Sequence, residues 1–197
     1  MSSIPPFAPF FLAAALTLVV GGRLRAVVLV ALPILGALNL HHLPDGALWQ
    51  LSVLSNELEP VRVDRLSRLF GYLFHIGALL GIVFALHVRD RFEIVGALVY
   101  AGSALGAVFA GDLVTLFVFW ELMAVSSVCL VWARRTERAM RSGFRYLVIQ
   151  VLSGVLLLGG AAAHALDTGT LTFTYIGLEG VAGWLIFLAF GIKCAFP

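Results

Sequence analysis

The sequence predicts an all-α polytopic membrane protein with about seven transmembrane helices. Hydrophobic residues make up 61% of the chain and charged residues only 12%, whereas soluble domains carry roughly 25% charged residues. The apolar residues are gathered into seven runs, and the connections between the runs alternate between basic and acidic composition. A multi-pass membrane protein has both properties, because each span must be apolar and each short cytoplasmic loop tends to be basic.

The seven apolar runs define the predicted spans. An α-helix rises about 1.5 Å per residue, so about 20 residues cross a hydrocarbon core roughly 30 Å thick. The first run has no Lys or Arg before it and is followed by Arg23 and Arg25. A cleavable signal peptide has the opposite arrangement, so we expect a retained first span. The predicted spans are residues 5–22, 25–40, 66–88, 92–110, 113–133, 143–165 and 178–197.

The charges of the connections predict the orientation of the chain. The alternate connections carry acidic residues, including Asp45, Asp112 and Asp167. Because cytoplasmic loops are enriched in Lys and Arg, the N-terminus is predicted to lie outside. The basic connections follow spans one, three and five and contain Arg23 and Arg25, then Arg89 and Arg91, then Arg134, Arg135, Arg138 and Arg141.

The outer segment 41–65 is the longest stretch outside the predicted spans. It begins with a Pro-Asp-Gly turn signal at residues 44–46, and Trp49, Leu51 and Val53 then alternate with polar residues. A turn signal next to an alternating run is typical of a β-hairpin. We therefore predict a short hairpin-like loop on the outer surface.

The sequence predicts no metal, cofactor or nucleic-acid site. Cys129 and Cys194 lie in separate apolar spans, and the adjacent His41 and His42 at a membrane edge are more typical of solvated side chains than of ligands. No Cys cluster, Gly-rich nucleotide loop or paired haem histidines occur. The net charge of +2 is carried by short loops, so it does not indicate nucleic-acid binding.

Spans three and four contain small residues at helix-packing spacing. Gly77 and Gly81 form one GxxxG pair, and Gly102 and Gly106 form another. Such pairs let helices approach closely, so we predict packing at both. His75 lies in span three and has two interpretations that remain open: a proton relay, or a packed and hydrogen-bonded side chain.

Span five contains a carboxylate in the middle of the membrane. Asp112 precedes the span, where it suits a helix N-terminus, and Glu121 is the only charged residue in residues 113–133. A carboxylate at the centre of a helix costs about 2.5–3.5 kcal/mol on insertion scales. Lys193, the only lysine of the chain, lies in the last apolar run between Gly191 and the final proline. This pattern predicts an interrupted helix around a buried charge.

Glu121 and Lys193 are the predicted proton-translocation residues. Burial disfavours the charged form of each, whereas each charge favours the charged form of the other. Two unit charges about 4 Å apart attract by roughly 4 kcal/mol at an effective dielectric of 20. The energy of forming or breaking such a pair is therefore large enough to bind or release a proton. The alternative is a static ion pair that fixes helix register, and the spacing along the chain does not establish contact between the two residues.

Span six supplies further candidate residues. Arg145 lies near its cytoplasmic end, where an arginine reaches back to the interface. Gln150 is deeper and needs a partner within the bundle, and His164 lies near the outer end. Together with His75 and Asp112, these three residues are possible auxiliary groups.

Three motifs resemble the antiporter-like membrane subunits of NADH:quinone oxidoreductase (complex I), multisubunit Na⁺/H⁺ (Mrp-type) antiporters and related hydrogenases. The stretch GDLVTLFVFWELMAVSS at residues 111–127 is similar to their fifth-helix signature. FGIKCAFP at residues 190–197 is similar to their seventh-helix segment, and VDRLSRLFG at residues 63–71 to the start of their third helix. The Phe-Trp-Glu-Leu run and the arginine-rich fifth loop most resemble the D-type subunit of the Na⁺/H⁺ antiporter.

The resemblance implies roles for individual residues. Glu121 matches the family's helix-five glutamate and Lys193 its helix-seven lysine, which form the ion pair and proton relay of the first half-channel. Arg145 stands where many members have a lysine. Because an arginine stays protonated, its implied role is electrostatic, and a simple lysine-to-lysine transfer is not expected.

The function implied is a proton-conducting subunit of a multisubunit cation/proton antiporter in the bacterial inner membrane. One alternative is a proton-pumping subunit of NADH:quinone oxidoreductase or a related hydrogenase, and another is a non-transporting structural or remnant fragment. The chain itself contains no catalytic chemistry. Whether it is a subunit of an enzyme, namely a proton-translocating NADH:quinone oxidoreductase, is left open. The implied partners are the lipid bilayer, other subunits, a separately encoded C-terminal half, and the ions H⁺ and Na⁺.

The chain is much shorter than the family pattern. Members have about fourteen helices in two inverted repeats, and this sequence stops four residues after Lys193. We therefore expect residues 1–197 to be the N-terminal portion of an antiporter-like membrane domain, without the exit half of the proton path.

Overall fold

The structure is a computed structural model that describes residues 4–53 and 56–196, without the side chains of Val53 and Asn56. Within these residues the chain forms a bundle of helices with one β-hairpin between the second and third. Pro197, part of the last predicted span, lies outside the described residues. The helices are α1 (Ala8–Val19), α2 (Gly22–His42), α3 (Arg65–Phe84), α4 (Arg91–Phe109), α5 (Leu113–Trp132), α6 (Glu137–Thr168) and α7 (Val181–Lys193); the strands are β1 (Gly46–Val53) and β2 (Asn56–Val63).

The all-α membrane fold is confirmed, with differences in helix length. In the described part of the chain, five helices, α2 to α6, are long and apolar enough to cross a membrane, with α3 extended by a 3₁₀ turn to His87. Helices α1 and α7 have only 12 and 13 residues, or about 18–20 Å of helix. Pro5 and Pro6 delay the start of α1, and Gly177, at φ +60°, lies in the turn that precedes α7.

Polar caps set the starts of the longer helices. Asp64, Asp90, Asp112 and Thr136 each accept a hydrogen bond from a backbone N–H in the first turn of α3, α4, α5 and α6 respectively. Such caps satisfy helix donors that have no partner within the helix. Gly169, at φ +74°, ends α6 in the left-handed conformation that favours glycine.

The helices pack around two apolar cores. One joins α1, α2, β2, α3 and α4, and the other lies mainly between α5, α6 and α7. Gly102 and Gly106 of α4 lie against Phe10 and Phe119, as the GxxxG spacing predicted. The same prediction is wrong for Gly77 and Gly81, where an added Cβ would meet no described atom within 4 Å. Both glycines lie on a face of α3 that no described neighbour covers closely.

The two ends of the bundle differ in charge. Arg25 of α2 donates to the carbonyl of Val88, and Arg135 pairs with Asp90 at 2.7 Å, so the three basic connections lie at one end. The hairpin lies at the other end, where the backbone N–H of Glu59 donates to Asp112 at 2.8 Å. Which end faces the cytoplasm remains a prediction from the loop charges.

Candidate functional site

Lys193 joins three helices at the end of α7. Its Nζ donates a hydrogen bond to Gln150 Oε1 of α6 at 3.0 Å and to the backbone carbonyl of Trp120 of α5 at 3.2 Å. The same nitrogen lies 4.8 Å from the centroid of the Trp120 ring, within the range of a cation–π contact. The lysine is half-buried, and both of its hydrogen-bond acceptors are neutral groups.

A hydrogen-bond chain holds the indole ring in place. Trp120 Nε1 donates to Ser153 Oγ at 2.9 Å, and Ser153 Oγ donates to the carbonyl of Ala189 at 2.9 Å. The ring of Phe190 stands edge-on to the indole at 4.8 Å. Trp120 is 4% exposed and Ser153 is 0% exposed, so the two residues form a rigid polar link between α5, α6 and α7.

Glu121 lies beside this link and does not contact the lysine directly. Among the described residues, no carboxylate comes within 4.0 Å of Lys193 Nζ. The Glu121 carboxyl group lies against Gly154 of α6, where an added Cβ would overlap its Oε1. That oxygen is buried and has no hydrogen-bond partner in the described part of the chain. The predicted ion pair is therefore open in this structure.

Helix geometry explains why neighbouring residues of α5 have different partners. Successive side chains on an α-helix point about 100° apart. The Trp120 side chain therefore faces Ser153 and Lys193, whereas the Glu121 side chain faces Gly154. A glycine at position 154 provides the space for the carboxyl group, because any Cβ there would occupy the same volume.

Sequence reasoning singled out some members of this cluster and missed others. Gln150 was expected to find a partner inside the bundle, and it is the acceptor for Lys193. Trp120 and Ser153 were not predicted as site residues. The available signals were the position of Trp120 directly before Glu121, and that of Ser153 one helical turn after Gln150. Arg145 is exposed on α6 and takes no part in the cluster.

His75 lies in the other core, away from Lys193. It is 2% exposed, its Nδ1 lies 2.7 Å from the carbonyl of Gly71, and its ring stands edge-on to Phe10 at 5.3 Å. Its Nε2 has no hydrogen-bond partner among the described residues and lies against Gly36 of α2. His75 thus lies at the junction of α1, α2 and α3, and its relay role stays a prediction.

Asp112 and His164 hold the hairpin end of the bundle together. Asp112 accepts hydrogen bonds from the backbone and hydroxyl groups of Thr115 at 2.7 Å and from the backbone of Glu59 at 2.8 Å. His164 Nε2 lies 3.1 Å from Thr174 Oγ1 in the segment between α6 and α7. Within residues 4–53 and 56–196, neither residue hydrogen-bonds to the Lys193 cluster.

No group of three or more His, Cys, Asp or Glu side chains that could hold a metal ion occurs in residues 4–53 and 56–196. Cys129 and Cys194 are both free. The side chains of the Lys193 cluster can bind a proton and form hydrogen bonds.

Comparison with known proteins shows which family the sequence around this cluster resembles. Residues 110–196, which include the whole cluster, match the family described as NADH:quinone oxidoreductase/Mrp antiporter, TM. The D-type subunit of the Na(+)/H(+) antiporter of Bacillus subtilis is 29% identical over 132 residues, covering 60% of this chain and 27% of that protein. The A-type subunit of the Na(+)/H(+) antiporter of Alkalihalophilus pseudofirmus is 33% identical over 118 residues, covering 56% of this chain and 14% of that protein.

Two solved structures share the fold. Respiratory complex I from Thermus thermophilus contains a chain with a TM-score of 0.75 and 21% identity, covering 96% of this chain and 43% of that one. The archaeal membrane-bound sulfane sulfur reductase contains another with a TM-score of 0.73 and 20% identity, covering 94% and 42%. This chain spans less than half the length of each of these relatives and structures. The resemblance to the antiporter-like membrane subunits of Mrp antiporters and complex I is therefore confirmed, over part of the family's length.

Proposed function

We propose that this chain forms part of a proton-conducting membrane subunit of a multisubunit cation/proton antiporter. Lys193 carries the proton, and Glu121 is the carboxylate that controls its release. Two neutral acceptors on two other helices hold the lysine, and the residue after Trp120 on α5 has a carboxyl oxygen with no hydrogen-bond partner among the described residues. This arrangement supports the proposal. Buried titratable groups in membrane spans commonly mark ion pathways.

The neutral acceptors keep the lysine nitrogen in one position through a proton cycle. A charged lysine has three N–H donors, and two of them are used by Gln150 and the Trp120 carbonyl. After losing a proton the amine keeps two N–H groups, which are enough for the same two bonds. The remaining site on the nitrogen is then the one that exchanges the proton.

The carboxylate supplies the switch. When Glu121 is separated from Lys193, as in this structure, the lysine charge has no carboxylate within 4.0 Å among the described residues. An approach to about 4 Å would favour the charged lysine by roughly 4 kcal/mol at an effective dielectric of 20. The open pair already attracts in part, so about a thousandfold is the upper limit of the change in the proton-binding equilibrium when the pair closes. Closing and opening the pair would thus bind and release one proton.

The comparisons also leave a respiratory role as a second candidate. The fold is shared with a chain of complex I as well as with Mrp antiporter subunits. In both cases we propose a bacterial inner-membrane location, other membrane subunits as partners and H⁺ as the conducted ion. Na⁺ is a partner only under the antiporter proposal. A structural role would leave Lys193 as a fixed link between helices.

Proton flux into vesicles that contain the assembled complex tests these proposals. We expect Glu121→Gln and Lys193→Ala to abolish flux while the complex still assembles. The matched control is Arg23→Gln, which removes an exposed charge outside the cluster. Unchanged flux in the two site variants would refute the relay, and lost assembly would favour the structural role. Sodium dependence of the wild-type flux separates the antiporter from the respiratory complex.

A further inference from the structure

The first turns of α6 carry a basic surface that the proton path does not use. Arg138, Arg141, Ser142 and Arg145 line one surface depression, which we call the α6 basic groove. Arg138 and Ser142 also border a neighbouring depression next to Arg134, and Arg145 borders a third one that is otherwise apolar. The basic groove is therefore continuous with an apolar surface further along the same helix.

Most of the positive charge in this groove is not neutralised by the protein. Arg141 pairs with Glu137 at 3.3 Å, and both side chains are largely exposed. Arg138 and Arg145 have no carboxylate within 4.0 Å among the described residues. The planar fork of a guanidinium group donates two N–H hydrogen bonds to a pair of phosphate oxygens. The groove is thus suited to a phosphate group.

The arginines share one face of α6 with exposed apolar residues. Positions 138, 141 and 145 are spaced by three and four residues, which places them on one side of a helix. The face continues through Val148, Ile149 and Leu152, which are 64%, 53% and 52% exposed. A soluble anion would not contact this apolar surface, whereas the acyl chain of a lipid would pack along it.

The depth of the groove agrees with the headgroup layer of a membrane. From Arg145 to His164 there are 19 residues, or about 28 Å of helix, which nearly equals the hydrocarbon thickness of roughly 30 Å. With His164 at the opposite boundary, Arg145 would be at the boundary of the core, and Arg138 and Arg141 would lie in the headgroup region. From Arg145 to Val155 the helix rises about 15 Å, the thickness of one leaflet.

We propose that the α6 basic groove binds an anionic phospholipid of the leaflet at the basic end of the bundle. Arg138 and Arg145 hold the phosphate, and one acyl chain lies on Val148, Ile149 and Leu152. Basic clusters next to membrane helices attract anionic lipids in this way. The site is independent of the proton path, because none of these residues contacts Lys193 or Glu121 in the described bonds.

Lipid retention by the purified protein and by the assembled complex, measured by native mass spectrometry from detergent, tests the proposal. Wild-type protein is expected to retain phosphatidylglycerol in preference to phosphatidylcholine. The double variant Arg138→Gln/Arg145→Gln is expected to bind phosphatidylglycerol about thirtyfold more weakly, as two lost lipid-facing charges imply. Arg23→Gln/Arg89→Gln removes the same charge from other loops at the basic end and is expected to bind as wild type does.

Four outcomes would overturn the proposal. They are equal retention of the two lipids by wild type, equal loss in the two double variants, displacement of the lipid by millimolar inorganic phosphate, and unchanged lipid binding with lost attachment of a neighbouring subunit. The third would indicate a site for soluble anions and the fourth a protein interface. If the glutamine variant fails to fold, Arg138→Lys/Arg145→Lys keeps the charge but not the paired geometry and is expected to show a smaller loss.

Discussion

Gln150→Glu changes the charge at the lysine with almost no change in shape, so it tests the proposed proton carrier most directly. The new carboxylate oxygen would replace an amide oxygen that lies 3.0 Å from Lys193 Nζ. At that distance and an effective dielectric of 20, two unit charges attract by about 5.5 kcal/mol. Burying another carboxylate offsets part of this energy. We still expect Lys193 to keep its proton and flux to fall at least tenfold.

The assay is proton flux into vesicles that contain the assembled complex, followed over a series of pH values. Because the added negative charge favours the charged lysine, the remaining flux of Gln150→Glu is expected to move to higher pH. Gln50→Glu is the matched control, since it makes the same substitution at an exposed position of the hairpin. Flux and pH profile equal to wild type in a normally assembled Gln150→Glu complex would refute the role given to Lys193.

Three further predictions concern helix packing and capping. Gly154→Ala is expected to displace the Glu121 carboxyl group and to lower flux, with overpacking of about 1–3 kcal/mol measured as reduced thermal stability in detergent; wild-type stability and flux would contradict the packing described. Asp112→Ala is expected to destabilise the start of α5 by about 0.5–2 kcal/mol, and an unchanged unfolding midpoint would count against its capping role. A hydrogen bond from the backbone of Ser67 holds the pKa of Asp64 below its usual value. The ionised Asp64 carboxylate therefore stabilises the fold above the unfolded pKa of about 3.9, and this stabilisation is lost as the pH falls through the lower folded pKa. Asp64→Asn should remove this loss of stability in acid. An acid unfolding profile identical to that of wild type would refute the role given to Asp64.

The overall architecture was predictable because apolar length and loop charge are local properties. Each of the seven predicted spans overlaps one helix, although α2 and α6 extend beyond theirs at both ends, and the acidic caps Asp64 and Asp112 stand directly before α3 and α5. The helix lengths were less predictable. The first run has no charged residue and the last has only Glu179 and Lys193, yet α1 and α7 are short, because residues at their ends adopt turns.

The candidate site was predictable in its charged members and not in its neutral ones. A charge in an apolar span is conspicuous, so Glu121 and Lys193 were identified from composition. Ser153 is a common residue in membrane helices, and its role depends on the distance from its hydroxyl group to Trp120 on another helix. The sequence also provided no means of seeing that Gly77 and Gly81 face open space whereas Gly106 lies against Phe119.

The sequence by itself determined that this protein is a multi-helix membrane chain with one acid and one lysine in separate spans, because the cost of burying charge in hydrocarbon makes such residues evident. Only the tertiary structure decided what those charges meet. The packing of α5, α6 and α7 brings Gln150 and the Trp120 carbonyl to Lys193 and turns Glu121 toward Gly154. The physical reason is that helix rotation and register decide which side chains face each other, and both depend on contacts between residues far apart in the chain.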